Sequence, residues 1–134
     1  MKSLIVTEAD FANLSLIEAH APLRRLLQHA IVVLSNAVPA NIVTMNTQVA
    51  LTDDRTGTRR LFSLVYPQDA DAAKGRISVL EALGMALLGA SPGHRIECDF
   101  PEGSRHLRVE KVIYQPEHSL RTLLVVRVAE AAKP

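Results

Sequence analysis

The sequence predicts an α+β protein, in which a short antiparallel helical hairpin precedes an antiparallel sheet that carries one helix. Before Val38, apolar residues recur at helical spacing, whereas from Thr47 onward they alternate with polar residues as in strands. Hydrophobic residues make up 48% of the 134 residues, which is enough for a packed core. We therefore expect a helical hairpin over residues 1–42 and a sheet domain over residues 43–134.

The first helix is predicted to begin after Thr7. Threonine is a good N-cap residue, and Glu8 and Asp10 would place negative charge in the first turn, where the helix dipole favours it. Apolar residues then follow at helical spacing, namely Phe11, Leu14 and Ile17.

The second helix is predicted from about residue 22 to residue 37. Pro22 suits the first helical position, and Pro39 ends the pattern because the residue before a proline avoids helical geometry. A regular apolar stripe lies between them, consisting of Leu23, Leu26, Leu27, Ala30, Ile31, Leu34 and Val38. The two helices and their short connection predict a hairpin whose tip lies near Glu18 and His20.

The alternating part of the chain predicts a β-hairpin around the turn sequence DDRTG, in which Gly57 is free to adopt a positive φ. The second strand ends at Pro67, and a polar loop with Asp69 and Asp71 follows. Residues 76–78 are expected to form a short strand. The Asp53–Asp54 pair lies in the hairpin turn, where Asp serves the backbone, so we assign it no catalytic role.

A third helix is predicted to begin at Ser78, because Ser78 and Glu81 fit the capping box S-x-x-E. Gly84 would cost this helix about 1 kcal/mol relative to Ala, which suggests close packing there, and Gly89 would end it. Further strands are expected over residues 94–100 and 107–114. Residues 123–128 could add a last strand or a tail that pairs with a partner.

Composition excludes several functions. The formal net charge is +1, so the sequence does not predict a strong autonomous DNA binder, and we expect contact with nucleic acid only inside a larger assembly. The single cysteine, Cys98, permits no internal disulfide and is expected to be a small buried residue. The start is too briefly apolar for a signal peptide, and no run approaches 18 apolar residues. We expect a soluble, cytoplasmic protein that does not contact a membrane.

The sequence offers little catalytic chemistry. Its five histidines are scattered without metal-ligand spacing, and no glycine-rich phosphate motif is present, so we expect no metal, no cofactor and no catalytic residue. Asp69 and Asp71 could form a solvated loop or a partner contact. The residues alone therefore favour a binding module over an enzyme, and they leave the oligomeric state open.

Four segments resemble a known family. These are NIVTMNTQVALTD, LVYPQDADAAKGRISV, LGMALLGASPGHRIE and VEKVIYQPE, between residues 41 and 117. They resemble the C-terminal domain of the bacterial GreA/GreB transcription elongation factors, and VTMNTQV, LVYP and YQPE resemble its short Rnk-like members in particular. The resemblance implies an FKBP-like sheet wrapped on one helix and an N-terminal antiparallel coiled coil.

The resemblance also implies a partner and a docking surface. Members of this family dock on RNA polymerase through the globular domain, near the secondary channel. Carried over by position, Leu80, Glu81 and Ala82 would face the polymerase beside the loop with Asp69 and Asp71. The family has a proline one or two residues before the LG pair, whereas this chain has Ala82 directly before it and Glu81 in front.

The resemblance further predicts that this chain does not stimulate transcript cleavage. In Gre factors the hairpin tip carries paired acids that help to hold a second catalytic Mg²⁺, and two cations at one phosphate need neighbouring carboxylates. Here the hairpin is much shorter, and its tip offers Glu18 alone, followed by His20 and the pair Arg24–Arg25.

Two alternatives stay open. An FKBP-like fold raises the possibility of a prolyl isomerase, but such sites need an aromatic basin, and this chain has no Trp, three Phe and two Tyr that are dispersed along it. The other alternative is a regulatory module that binds a partner other than RNA polymerase. No feature of the sequence separates this second alternative from polymerase binding.

Overall fold

The chain folds as an N-terminal β-α-α-β unit followed by a five-stranded sheet that packs against one helix. A computed structural model of the protein describes residues 4–17, 20–100 and 103–119. The first unit contains β1 (Leu4–Thr7), α1 (Glu8–Ser15), α2 (Ala21–Gln28) and β2 (Ala30–Val33). The second contains β3 (Gln48–Asp53), β4 (Arg59–Val65), β5 (Arg76–Ser78), α3 (Ala82–Leu87), β6 (Arg95–Phe100) and β7 (Gly103–Tyr114).

The predicted start of the first helix is confirmed. Thr7 is the N-cap residue of α1, and its side-chain oxygen accepts a hydrogen bond from the Asp10 amide at 3.1 Å. Thr7 is also the last residue of β1, which pairs in parallel with β2 so that Leu4 lies opposite Ala30 and Thr7 opposite Val33. One threonine therefore ends a strand and begins a helix.

The predicted second helix is wrong in its second half. Helix α2 ends at Gln28, nine residues earlier than expected, and residues 30–33 form strand β2. The run AIVVL is apolar at every position, so it fits a helical stripe and a strand equally well. Its three consecutive β-branched residues favour the extended backbone, and β1 supplies the pairing partner.

The five-stranded sheet has the order β5-β4-β3-β7-β6. All neighbours are antiparallel except β4 and β5, which are parallel. The strands predicted between residues 47 and 114 are confirmed, although β7 begins four residues earlier than expected, at Gly103. The β3–β4 turn has Gly57 at φ 72°, as expected, and Asp53 accepts hydrogen bonds from the Arg55 amide and the Arg105 guanidinium.

Helix α3 begins at Ala82, whereas the capping box predicts a start next to Ser78. A turn separates Ser78 from the helix, because the Val79 amide donates to the Val65 carbonyl and the Glu81 amide donates to the Ser78 carbonyl. The Ser78 hydroxyl accepts a hydrogen bond from the Leu80 amide at 3.1 Å. Glu81 takes the N-cap position, without a capping hydrogen bond from its side chain.

The close packing suggested at Gly84 is confirmed. A Cβ atom placed on Gly84 would lie 2.0 Å from the backbone oxygen of Ser78, far inside van der Waals contact. Gly84 is therefore needed because α3 packs directly on the end of β5.

Buried apolar side chains from both parts of the chain form one core. Residues before position 43 and residues of the sheet belong to the same cluster, which includes Leu4, Val6, Leu14, Leu23, Leu27, Val49, Leu51, Leu64, Leu87 and Val109. The division into residues 1–42 and 43–134 stays a prediction. The segment predicted over residues 123–128 lies outside the described residues. None of the helices described here is long and apolar enough to cross a membrane.

Candidate docking surface

Strand β5 brings the two segments of the predicted docking surface to the same edge of the sheet. The strand is the outermost on its side and is only three residues long. The acidic loop precedes it and pairs with its first residue, because Asp71 and Arg76 exchange backbone hydrogen bonds at 3.0 Å. Residues 80–82 follow directly after its last residue, Ser78.

The acidic loop is shaped by two short 3-10 turns, Pro67–Asp69 and Ala72–Lys74. Asp69 is exposed at the end of the first turn. Asp71 is half-buried and caps the second, where its carboxylate accepts a hydrogen bond from the Ala73 amide at 3.2 Å. Asp69 is thus available to a partner, whereas Asp71 already supports the loop.

The second segment divides in the same way. Leu80 is half-buried and packs against the core, so only the exposed part of its side chain is available to a partner. Glu81 and Ala82 are both exposed at the start of α3. The edge therefore presents the carboxylates of Asp69 and Glu81 with the small side chain of Ala82 beside Glu81. We refer to Asp69, Asp71 and residues 80–82 together as the β5 edge.

The predicted hairpin tip is described only in part. Glu18 lies outside the described residues. His20 is the N-cap residue of α2, and its Nδ1 accepts a hydrogen bond from the Leu23 amide at 3.2 Å. The described role of His20 is therefore to begin a helix, and Arg24 and Arg25 follow as exposed residues of that helix.

A buried polar junction was not predicted from the sequence. The Asp10 carboxylate accepts hydrogen bonds from the Met45 amide at 3.1 Å and from the Tyr66 hydroxyl at 3.4 Å. Close by, the Thr44 hydroxyl donates to the Glu117 carboxylate. Three of the segments that carry the family resemblance, VTMNTQV, LVYP and YQPE, therefore meet at one place, against the first turn of α1.

Burial changes the acidity of this junction. The pKa of Asp10 is raised from 3.8 to about 6, chiefly by desolvation, with a smaller contribution from the nearby Glu117 carboxylate, while the hydrogen bond from Met45 acts in the opposite direction. The pKa of Tyr66 rises to about 12, chiefly because of burial and secondly because of the Asp10 charge. The positions of the three segments in the sequence do not show that they touch. Their shared Rnk-like character is the one sequence signal that could have pointed to this junction.

The other titratable side chains of the described residues do not form a metal site. Those residues contain no group of three or more His, Cys, Asp or Glu side chains that could hold a metal ion. Cys98 is half-buried on β6, and burial together with the neighbouring Asp99 raises the pKa of its thiol. The pKa of Asp53 is lowered, chiefly by the hydrogen bond from Arg105, as fits a residue that holds a turn.

The five-stranded sheet, α3 and the β5 edge lie within a match to a known family. Residues 38–114 match the family described as "Transcription elongation factor, GreA/GreB, C-term". The match covers more than half of the chain, and the chain belongs to the GreA/GreB family, as its resemblance predicts.

Within this family the chain is similar to two kinds of relative. The Regulator of nucleoside diphosphate kinase from Escherichia coli (strain K12) is 31% identical over 115 residues, which cover 85% of this chain and 82% of that protein. Transcription elongation factor GreA from Azorhizobium caulinodans is 30% identical over 92 residues, which cover 69% of this chain and 59% of that protein.

Solved structures agree with this assignment. The prokaryotic transcription elongation factor GreA/GreB from Nitrosomonas europaea superposes with a TM-score of 0.74 at 29% identity, covering 85% of this chain and all of that one (100%). Gfh1 from Thermus thermophilus superposes with a TM-score of 0.51 at 18% identity, covering 84% of this chain and 100% of its own, and this likeness shows the fold alone.

Proposed function

We propose that this chain is a Gre-type transcription regulator that docks on RNA polymerase through the β5 edge and does not stimulate transcript cleavage. One observation carries the docking proposal. The two segments that the family resemblance assigns to the contact are separate in sequence, yet they flank one three-residue strand at an open edge of the sheet.

The exposed carboxylates of this edge fit cationic groups on a partner, and the exposed Lys74 and Arg76 between them leave residues 69–82 with a formal net charge of −1. Asp69 and Glu81 are exposed carboxylates, and charge complementarity of this kind sets orientation and on-rate more than total affinity. The same proposal includes three further points. The sheet domain is FKBP-like, α1 and α2 form a shortened helical hairpin, and the protein is located in the bacterial cytoplasm.

The absence of cleavage is argued from the N-terminal unit. Helices α1 and α2 have eight residues each, about 12 Å of helix at 1.5 Å per residue. The connection between them offers one carboxylate, Glu18, and sharing a second Mg²⁺ needs neighbouring carboxylates. The connection between these short helices therefore lacks the neighbouring carboxylates that cleavage needs.

A pull-down tests docking. Full-length chain is incubated with purified core RNA polymerase that is free of nucleic acid, beside the variants Glu81→Lys and Glu97→Lys. Glu97 is exposed on β6, at the opposite edge of the sheet, so it is a matched charge reversal. We expect retention of the wild type and of Glu97→Lys and loss of Glu81→Lys. Failure of polymerase to retain the wild type would refute the proposal.

A stalled elongation complex with backtracked RNA tests the second part. We expect unchanged transcript length after this chain is added, whereas a GreA protein added as a positive control shortens the RNA. Shortening by this chain alone would overturn the proposed lack of cleavage and leave the docking proposal untouched.

A second candidate function is regulation of a different protein. It is favoured by one observation, the 31% identity to a protein named Regulator of nucleoside diphosphate kinase. The same pull-down with nucleoside diphosphate kinase in place of polymerase separates the two functions. Retention of the kinase alone would make this second candidate the better account.

We do not propose a prolyl isomerase. An apolar groove of about 230 Å³ lies between α1 and α2, but the aromatic residue among its lining side chains is Phe11 alone, and Arg24 and Gln28 border it. A protease-coupled isomerisation assay is expected to show no rate enhancement.

A further inference from the structure

The outer face of the five-stranded sheet carries a row of arginines. Residues directly opposite each other in antiparallel strands point to the same side, and Thr52 lies opposite both Arg59 and Arg108, while Arg108 lies opposite Arg95. The row thus crosses four strands, over about 14 Å at the usual spacing between strands. All three arginines are exposed.

The face continues with a lysine and an aromatic ring. Two residues further along β3, Ala50 lies opposite Lys111 and Leu61, and after two more Gln48 lies opposite Tyr114. Lys111 is exposed, and Tyr114 and Leu61 are 49% and 51% exposed. The intervening residues Val49 and Leu51 point to the core, so this set belongs to the solvent side of the sheet.

The carboxylate of Glu110 partly neutralises the row. Glu110 accepts a hydrogen bond from Thr52 at 2.7 Å and lies 3.5 Å from Arg59 Nε. Its pKa is lowered, chiefly by the hydrogen bond from Thr52 and further by the nearby cations Arg59, Arg108 and Lys111.

The remaining charge is positive and needs explanation. By the same alternation Arg76, Glu97 and Asp99 also lie on this face, so five cations and three carboxylates give it a net charge of +2, whereas the whole chain has +1 and the rest of the chain is therefore net negative. Like charges directly opposite each other, as with Arg95 and Arg108, destabilise a sheet. An anionic ligand would relieve that repulsion, and arginine is the side chain best shaped to bind phosphate.

We propose that this outer face binds the phosphate backbone of single-stranded nucleic acid. Arg95, Arg108 and Arg59 would contact successive phosphates, and Tyr114 would stack on a base, since basic surfaces with an exposed aromatic are the common design of single-strand binding. The exposed aromatic and apolar side chains favour this ligand over an acidic protein segment. The face is distinct from the β5 edge, so this proposal does not depend on polymerase docking.

Binding is measured with the full chain, freed of nucleic acid, and fluorescent 12-nucleotide oligo(U) and oligo(dT) at low salt. We expect both probes to bind, with a log–log salt slope of about −2 for three phosphate contacts. The double substitution Arg95→Ala/Arg108→Ala is expected to weaken binding at least tenfold and to reduce the slope by about 1.4. Preference for one probe distinguishes RNA from DNA as the ligand.

A second variant is expected to bind more tightly, a result that misfolding would not produce. Glu110→Gln removes the carboxylate beside Arg59 and is expected to tighten binding severalfold, whereas Glu8→Gln, the same substitution at an exposed carboxylate of α1, is expected to leave binding unchanged. No binding of either probe, or equal effects of Glu110→Gln and Glu8→Gln, would overturn the proposal. Binding of a poly-glutamate peptide without binding of either oligonucleotide would overturn it in favour of an acidic protein partner.

Discussion

Asp10 is the residue whose sequence setting and structural setting differ most. In the sequence it is one of two acids in a helical first turn, where a solvated carboxylate is ordinary. In the structure it is only 8% exposed and joins α1 to the loop of Met45 and to Tyr66. A carboxyl group in such a place is held by hydrogen bonds but is costly to ionise.

The raised pKa of Asp10 gives a pH-dependent stability. Between 3.8 and about 6 the folded state holds a proton that the unfolded state releases, so this contribution is full below pH 3.8 and is lost as pH rises through about 6. This contribution to the free energy of unfolding is on the order of 2 to 3 kcal/mol. We expect Asp10→Asn to remove this dependence while its side-chain oxygen still accepts from Met45.

Urea unfolding at pH 4.5 and pH 7.5 measures the effect as the difference between wild type and Asp10→Asn. Glu97→Gln, which neutralises an exposed carboxylate on β6, serves as the control and is expected to follow the wild type. Free energies of unfolding that change with pH by the same amount in wild type and Asp10→Asn would contradict the account.

At the scale of elements, local signals predicted some boundaries and missed others for identifiable reasons. Thr7 begins α1 as expected because its side chain satisfies a helix amide by itself. The helix predicted through residue 37 fails because a run of continuous apolar residues has no period, and only pairing with β1 decides its conformation. Ser78 fails as a helix cap because the chain makes a turn directly after it, in which the Ser78 hydroxyl accepts from the Leu80 amide and its carbonyl accepts from the Glu81 amide.

The start of α3 allows a test of the family proline. Ala82 is the first residue of the helix, where proline is favoured, and Glu81 before it has φ −77° and ψ 153°, the extended geometry that precedes proline. We therefore expect Ala82→Pro to keep or slightly raise the melting temperature and to tighten polymerase binding. A matched substitution within the helix, Ala86→Pro, is expected to lower stability by about 3 kcal/mol or more. Unfolding of Ala82→Pro would show that this helix start is wrong.

At the scale of the whole molecule, the N-terminal unit and the sheet share buried side chains. Leu23 of α2 is 1% exposed and belongs to the same cluster as Leu64 and Leu87. We expect one cooperative unfolding transition. Leu23→Ala is expected to lower the free energy of unfolding of the whole chain by about 2 to 5 kcal/mol. Denaturant unfolding followed by circular dichroism and by hydrogen exchange of β3 checks this. Unfolding of α2 at lower denaturant than β3 would instead support two independent units.

The candidate site was predictable only through the resemblance. Asp69, Asp71 and residues 80–82 have no catalytic or metal-binding pattern of their own, and physical reasoning on the sequence left them as a solvated loop and a helix start. Their placement beside one edge strand depends on the parallel pairing of β5 with β4, a long-range contact without a local signature. The arginine row was missed for a similar reason, since Arg59 on β4 is far in sequence from Arg95 and Arg108 on β6 and β7, and pairing through β3 brings them onto one face.

The most direct test of the central claim is the affinity of the full chain for purified core RNA polymerase, measured in parallel for wild type, Glu81→Lys and Glu97→Lys. The account predicts a wild-type dissociation constant of about 10 μM or tighter, at least tenfold weaker binding for Glu81→Lys, and a change within about twofold for Glu97→Lys, since rim charges tune orientation and encounter. Absence of wild-type binding in this range, or equal weakening by the two reversals, would contradict docking through the β5 edge.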